Sequence, residues 1–154
     1  MSTPLERLTE LGLELPEVAA PLAAYVPALR SGDLVFTSGQ LPLHQGELLA
    51  AGKVGAEVDP EQAAACAQQC ALNALAAAAA LVPLDQVRRV VKLVIFVASA
   101  PGFTGQPGVI NGASDVLGEV FGEAGAHARS AVGVAELPLG VPVEVELVVE
   151  LADS

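Results

Sequence analysis

Apolar positions change period several times along the chain, and each change predicts an element. Leu5, Leu8, Leu11 and Leu15 recur near helical spacing with Pro4 in a first-turn position, predicting a short amphipathic helix over the first fifteen residues that Pro16 ends. Pro-rich extended chain through Pro21 leads to Tyr25, and the turn Arg30-Ser31-Gly32-Asp33 separates a short strand from a second one, Leu34 to Ser38. Gly39, Pro42, Gly46, Gly52 and Gly55 then mark a long irregular stretch, where ligand-contacting loops tend to sit. Asp59-Pro60-Glu61-Gln62 is a helix start, because Asp59 can cap, Pro60 suits the first turn and Gln62 can complete a capping box. This helix runs to about Leu81, where Pro83 stops it.

The second half alternates strand and helix. Val87 to Val97 carries β-branched residues on both faces, the pattern of a central strand covered from two sides. Val109, Ala113, Val116, Leu117, Val120 and Phe121 fall at helical spacing, and Gly122 and Gly125 close that helix. Ala128 to Val134 and Val141 to Leu151 read as strands joined by a turn around Leu137-Pro138-Leu139-Gly140. The order ββαβαββ after an extra N-terminal helix predicts an α+β fold: one mixed sheet with two helices on one face, not a doubly wound nucleotide fold. Neither a repeat nor a linker interrupts it, so residues 1–154 read as a single domain with residues 1–15 as a helical extension.

Composition narrows the partners. Charged residues make up 16% of the chain and aromatics 3%, so Ala, Val and Leu must build the core, and too few charges remain to cover the surface. The surplus apolar surface predicts a homo-oligomer. Eighteen acidic against seven basic residues give a net charge of -11, which repels phosphate backbones and anionic membranes and argues against a nucleic-acid partner. The apolar stretches Ala74 to Leu84 and Val90 to Val97 are too short to span a bilayer. Glu6, Arg7 and Glu10 interrupt any export signal, so the expected location is the cytoplasm.

Two places suggest chemistry. Glu144 and Glu146 share one strand face about 7 Å apart, a candidate acid-base pair that otherwise reads as the solvated face of an edge strand. Arg129 lies among Ala128, Ser130, Ala131 and Gly133, small neighbours that leave room for a guanidinium fork to hold a carboxylate. Cys66 and Cys70, at i, i+4 spacing without a third ligand, read as small buried residues on a packed helix face rather than a metal site. His44 and His127 have no sequence partner that suggests an acid-base pair and read as ordinary loop or strand-end residues.

Taken together, SGQLP at Ser38 to Pro42, ARSAVGVAELP at Ala128 to Pro138 and PVEVE at Pro142 to Glu146 resemble the RidA/YjgF proteins, reactive intermediate deaminases formerly grouped with endoribonucleases. The resemblance covers most of the chain. It implies a chorismate-mutase-like fold, a homotrimer with clefts between subunits, and hydrolysis of 2-enamine and 2-imino acids to 2-keto acids and ammonia without a cofactor or metal. By motif, Arg129 matches the arginine that grips the substrate carboxylate, and Glu144 the acid that positions or activates water. Tyr25, Ser38, Gly39 and Asn111 match residues lining the cleft. The chain departs from many relatives in having Ala131 two residues after the arginine, where they carry Cys, which excludes thiol chemistry there. The N-terminal helix, the segment Gly52 to Gly55 and the loop Ala100 to Gly108 exceed the compact family core and resemble a longer subgroup. Two other readings stand beside the deaminase: a non-catalytic module that binds a small carboxylate in the same cleft, and a ribonuclease or translation inhibitor, which the acidic charge and scarce aromatics oppose.

Overall fold

Residues 1–20 and 24–153 are described by a computed structural model; Pro21, the end of the expected extended segment, lies outside them. The helix α1 (Pro4–Glu10) begins on a capping box in which the Thr3 side chain accepts from the Glu6 N–H and Glu6 reaches back to the Thr3 N–H. It ends earlier than the leucine spacing predicts, because Gly12 takes a left-handed φ of 71° that a helix cannot continue through. Leu8 alone of its residues is buried. The predicted cap at Asp59 is present: its side chain accepts from the Gln62 N–H at 2.8 Å and Gln62 returns the bond, starting α2 (Pro60–Ala79). A second long helix, α3 (Gln106–Phe121), closes on Gly122.

Strands β1 (Ala28–Ser31), β2 (Leu34–Thr37), β5 (Val87–Ala98), β6 (Ala128–Val134) and β7 (Val143–Leu151) form one sheet in the order β1-β2-β7-β5-β6. The pair β3 (Leu43–His44) and β4 (Glu47–Leu48) is a small separate hairpin in the stretch expected to be irregular. β5 runs parallel to β6 and antiparallel to β7, which makes the sheet mixed. The turn at Pro138–Gly140 therefore does not make a hairpin: β5 lies between the two strands it joins, and β7 holds the middle position that the sequence suggests for β5. This also removes Glu144 and Glu146 from any edge strand.

The core lies on one side of the sheet. Leu93, Ile95, Val97, Val143, Val145, Leu147 and Val149 are buried together with the small-residue face of α2 and with Val109, Ile110, Ala113, Val116 and Leu117 of α3. Cys66 and Cys70 belong to this packing, and burial pushes both thiols up from their ordinary pKa, as expected for inert core residues. α2 and α3 approach so closely at Gly112 that a Cβ there would overlap the backbone carbonyl of Ala64. On the opposite side, alternate residues are left open. Register aligns Leu29, Phe36 and Val148 across β1, β2 and β7, and Phe96 and Val132 across β5 and β6; Leu29, Phe36 and Val132 are exposed. β5 is thus covered by helices on one face only, and Val94 and Phe96 on its other face stay half-buried.

Candidate functional site

The expected site residues gather into two groups rather than one. The first surrounds the end of β2. After Thr37 the chain leaves the regular ladder for two residues and rejoins β7 at Gln40, which exchanges two backbone bonds with Val145, at 2.7 and 3.0 Å. The Leu147 N–H would lose its partner across this irregularity, and the Thr37 side-chain oxygen accepts from it at 3.0 Å instead. Within the irregularity, the Ser38 N–H donates to Pro27 O at 2.8 Å and its hydroxyl to Val26 O at 2.6 Å. These two bonds tie the residue to the segment just after Tyr25.

Gly39 follows, and the Glu144 carboxylate occupies the space that a Cβ on Gly39 would take. Glycine is needed here for close approach, not for an unusual φ. Tyr25, Pro27, Gly39, Gln40, Leu41 and Leu43 line a shallow groove beside this point. Its far wall is fixed from below, because the buried Asn73 of α2 donates from Nδ2 to both Leu41 O and Leu43 O at 2.9 Å. Gln40 and Asn73 carry no signal in the sequence, since their roles depend on which strand the chain rejoins. Glu144 itself is half-buried, and desolvation, followed by the charge of Glu146 on the same face, raises its pKa above the ordinary carboxylate value.

The second group lies at the edge strand. Arg129 donates from Nη1 to Asn111 Oδ1 at 2.9 Å and to Ser114 Oγ at 3.2 Å. Asn111 and Ser114 are three residues apart on α3 and so share a helix face, with Asn111 in the second turn. Ser114 in turn meets His127 Nε2 at 2.9 Å, and His127 Nδ1 meets Gly125 O at 2.6 Å. His127 is therefore part of the arginine's surroundings and not an isolated strand-end residue. For Ser114 and His127, the sequence signals are the i, i+3 spacing from Asn111 and the i, i+2 spacing to Arg129.

The two groups face opposite ways. Arg129 is aligned with Leu93, which is completely buried beneath the helices, whereas Glu144 is aligned with Phe96 on the same strand β5. Leu93 and Phe96 are an odd number of residues apart in a stretch without a register shift, so they point to opposite sides of the sheet. Arg129 thus belongs to the helix side and Glu144 to the open side. Among the described residues, Arg129 has no carboxylate within ion-pair distance, although Arg30, Lys53, Arg88 and Arg89 each have one. No group of three or more His, Cys, Asp or Glu side chains suited to a metal occurs among the described residues.

The family model described as "YjgF/chorismate_mutase-like, putative endoribonuclease" matches residues 5–151 of this chain. The Trypanosoma cruzi protein TCP17 is 49% identical over 146 residues, spanning 94% of this chain and 91% of that protein. The crystal structure of Atu1372 from Agrobacterium tumefaciens, described as of unknown function, superposes with a TM-score of 0.90 at 45% identity and covers 97% of this chain and 94% of that one. TdcF from E. coli, solved with bound serine, superposes with a TM-score of 0.57 at 28% identity over 89% of this chain and 93% of its own.

Proposed function

From the premise that the chain belongs to the YjgF/chorismate-mutase-like family, we propose that it hydrolyses reactive 2-enamine and 2-imino acids to 2-keto acids and ammonia, in clefts between the subunits of a homotrimer. The observation that carries this reading is Arg129. In a chain with eighteen acidic residues, its guanidinium is oriented by neutral oxygens alone, which leaves its charge for a substrate carboxylate. Serine bound to TdcF is likewise a small molecule with a carboxylate beside a nitrogen-bearing carbon. The open sheet face leaves Leu29, Phe36 and Val132 exposed among charged residues that include Glu144, and a second copy covering those apolar side chains brings a neighbour to the side on which Glu144 lies.

The chemistry needs few groups. An enamine first exchanges a nitrogen proton for one at its β-carbon and so becomes the imine. Arg129 and Asn111 hold the carboxylate; water adds to the imine carbon as Glu144 accepts one of its protons and passes it to nitrogen, giving a carbinolamine, and the hydroxyl proton follows to nitrogen as the C–N bond breaks with loss of ammonia. The carbonyl forms from the oxygen that water supplied, and neither sulfur nor redox change enters, so Ala131 is compatible with turnover. No helix among the described residues is long and apolar enough to cross a membrane. Seven basic residues in 154 give little to hold RNA, which weighs against the endoribonuclease reading.

A coupled assay tests the proposal: a dehydratase generates 2-aminoacrylate and release of the keto acid is followed. The wild-type protein accelerates release, while Arg129→Ala and Glu144→Gln each lose on the order of 10²-fold or more. A small-carboxylate binding module shares Arg129 but not the chemistry of Glu144. It would bind a 2-keto acid, lose that binding in Arg129→Ala, keep it in Glu144→Gln, and accelerate nothing.

A further inference from the structure

The guanidinium of Arg129 has two anchors, and only Asn111 belongs to the pocket expected from the family pattern. The second anchor, Ser114, is controlled from behind. Gly125 O can only accept, so the 2.6 Å contact requires the proton on His127 Nδ1. A neutral ring then presents an unprotonated Nε2 to Ser114 Oγ at 2.9 Å, and the Ser114 hydroxyl must donate to it. With its only proton committed there, Ser114 can offer nothing but lone pairs to Arg129 Nη1, 3.2 Å away. The far end of the relay is anchored as well: Gly125 is buried, and a Cβ on it would overlap the Leu117 carbonyl of α3.

We propose that Ser114 and His127 are positioning residues for Arg129, His127 fixing the direction of the Ser114 hydroxyl and Ser114 fixing the guanidinium. The inference rests on Arg129 being the carboxylate clamp. Arg129 is exposed, so a single bond to Asn111 leaves a long side chain free to swing, and ordering it at the moment of binding would cost affinity. A second anchor removes that cost beforehand. Without His127, the Ser114 hydroxyl is free to turn back to the carbonyl one helical turn earlier, as helical serines do.

The test compares wild type with Ser114→Ala, Ser114→Thr, His127→Asn and the double variant Ser114→Ala/His127→Asn. Asparagine at 127 keeps a donor for Gly125 O but is too short to reach Ser114. In the imine assay, Ser114→Ala and His127→Asn each raise KM on the order of fivefold with kcat changed less than about twofold, and Ser114→Thr keeps the wild-type KM. The double variant is no worse than Ser114→Ala, because His127 acts only through Ser114. Unchanged KM in the single variants, or additive losses in the double, overturns the proposal while the deaminase reading stands. If the wild-type protein accelerates nothing, the deaminase reading fails and 15N NMR decides the positioning. His127 as the Nδ1-protonated tautomer, with Arg129 side-chain N–H signals that exchange faster in both single variants, supports it; Arg129 signals unaffected by either substitution overturn it.

Discussion

Glu144 stands under a carboxylate's usual cost of burial, with Glu146 adding a like charge on the same strand face, and both effects favour its protonated form. In the proposed mechanism Glu144 activates water in its ionised form, so turnover is expected to fall as pH drops through the Glu144 pKa, with that acidic limb above the range of an unperturbed glutamate, about 4.3. Removing the Glu146 charge removes one of the two causes. Glu146→Gln therefore moves the acidic limb of kcat/KM to lower pH, and Glu144→Gln abolishes the limb along with most of the activity. A limb that stays in place in Glu146→Gln would show that the two carboxylates do not sense each other. A Cβ at Gly39 would displace the Glu144 carboxylate, which fills the volume that the missing side chain leaves.

At the level of elements, the site depends on how closely α2 and α3 pack. Gly112→Ala would gain about 1 kcal/mol of helix propensity in an isolated helix. Here the new methyl meets the Ala64 backbone carbonyl, which cannot rotate away as a side chain can, and overpacking of this kind costs about 1–3 kcal/mol. The steric cost outweighs the gain in propensity. The variant therefore unfolds at lower urea concentration than wild type, and it raises KM because Asn111 and Ser114 ride on the same helix. The helix starts were legible from Pro4, Asp59 and Gln62 because capping is local chemistry, and the bounds of β6 follow from its own run of residues. The end of α1 was not, since leucine spacing continues past Gly12 while the backbone does not. Nor was the insertion of β5 between β6 and β7, because pairing is settled between segments distant in the chain.

For the whole molecule, the motifs at Ser38 to Pro42, Ala128 to Pro138 and Pro142 to Glu146 single out Arg129 and Glu144 as candidates, but not the direction in which each faces. That direction follows from register: Arg129 beside Leu93 and Glu144 beside Phe96 put the two side chains on opposite sides of one sheet. The proposed cleft for a small 2-imino acid spans only a few ångströms and therefore requires its Arg129 and Glu144 to come from different copies of the chain. Co-expression of two differently tagged variants, Arg129→Ala and Glu144→Gln, followed by isolation of assemblies carrying both tags, tests this. Each variant alone contains no intact cleft. If subunits assort at random in equal amounts, about one quarter of the clefts join an intact Arg129 to an intact Glu144, and the mixture recovers activity towards that fraction of wild type. Assemblies selected for both tags lie somewhat above it, since trimers of a single variant have been removed. Were both residues of a cleft supplied by one chain, every cleft would lack one of them however the subunits mixed, and activity would stay at the level of the separate variants.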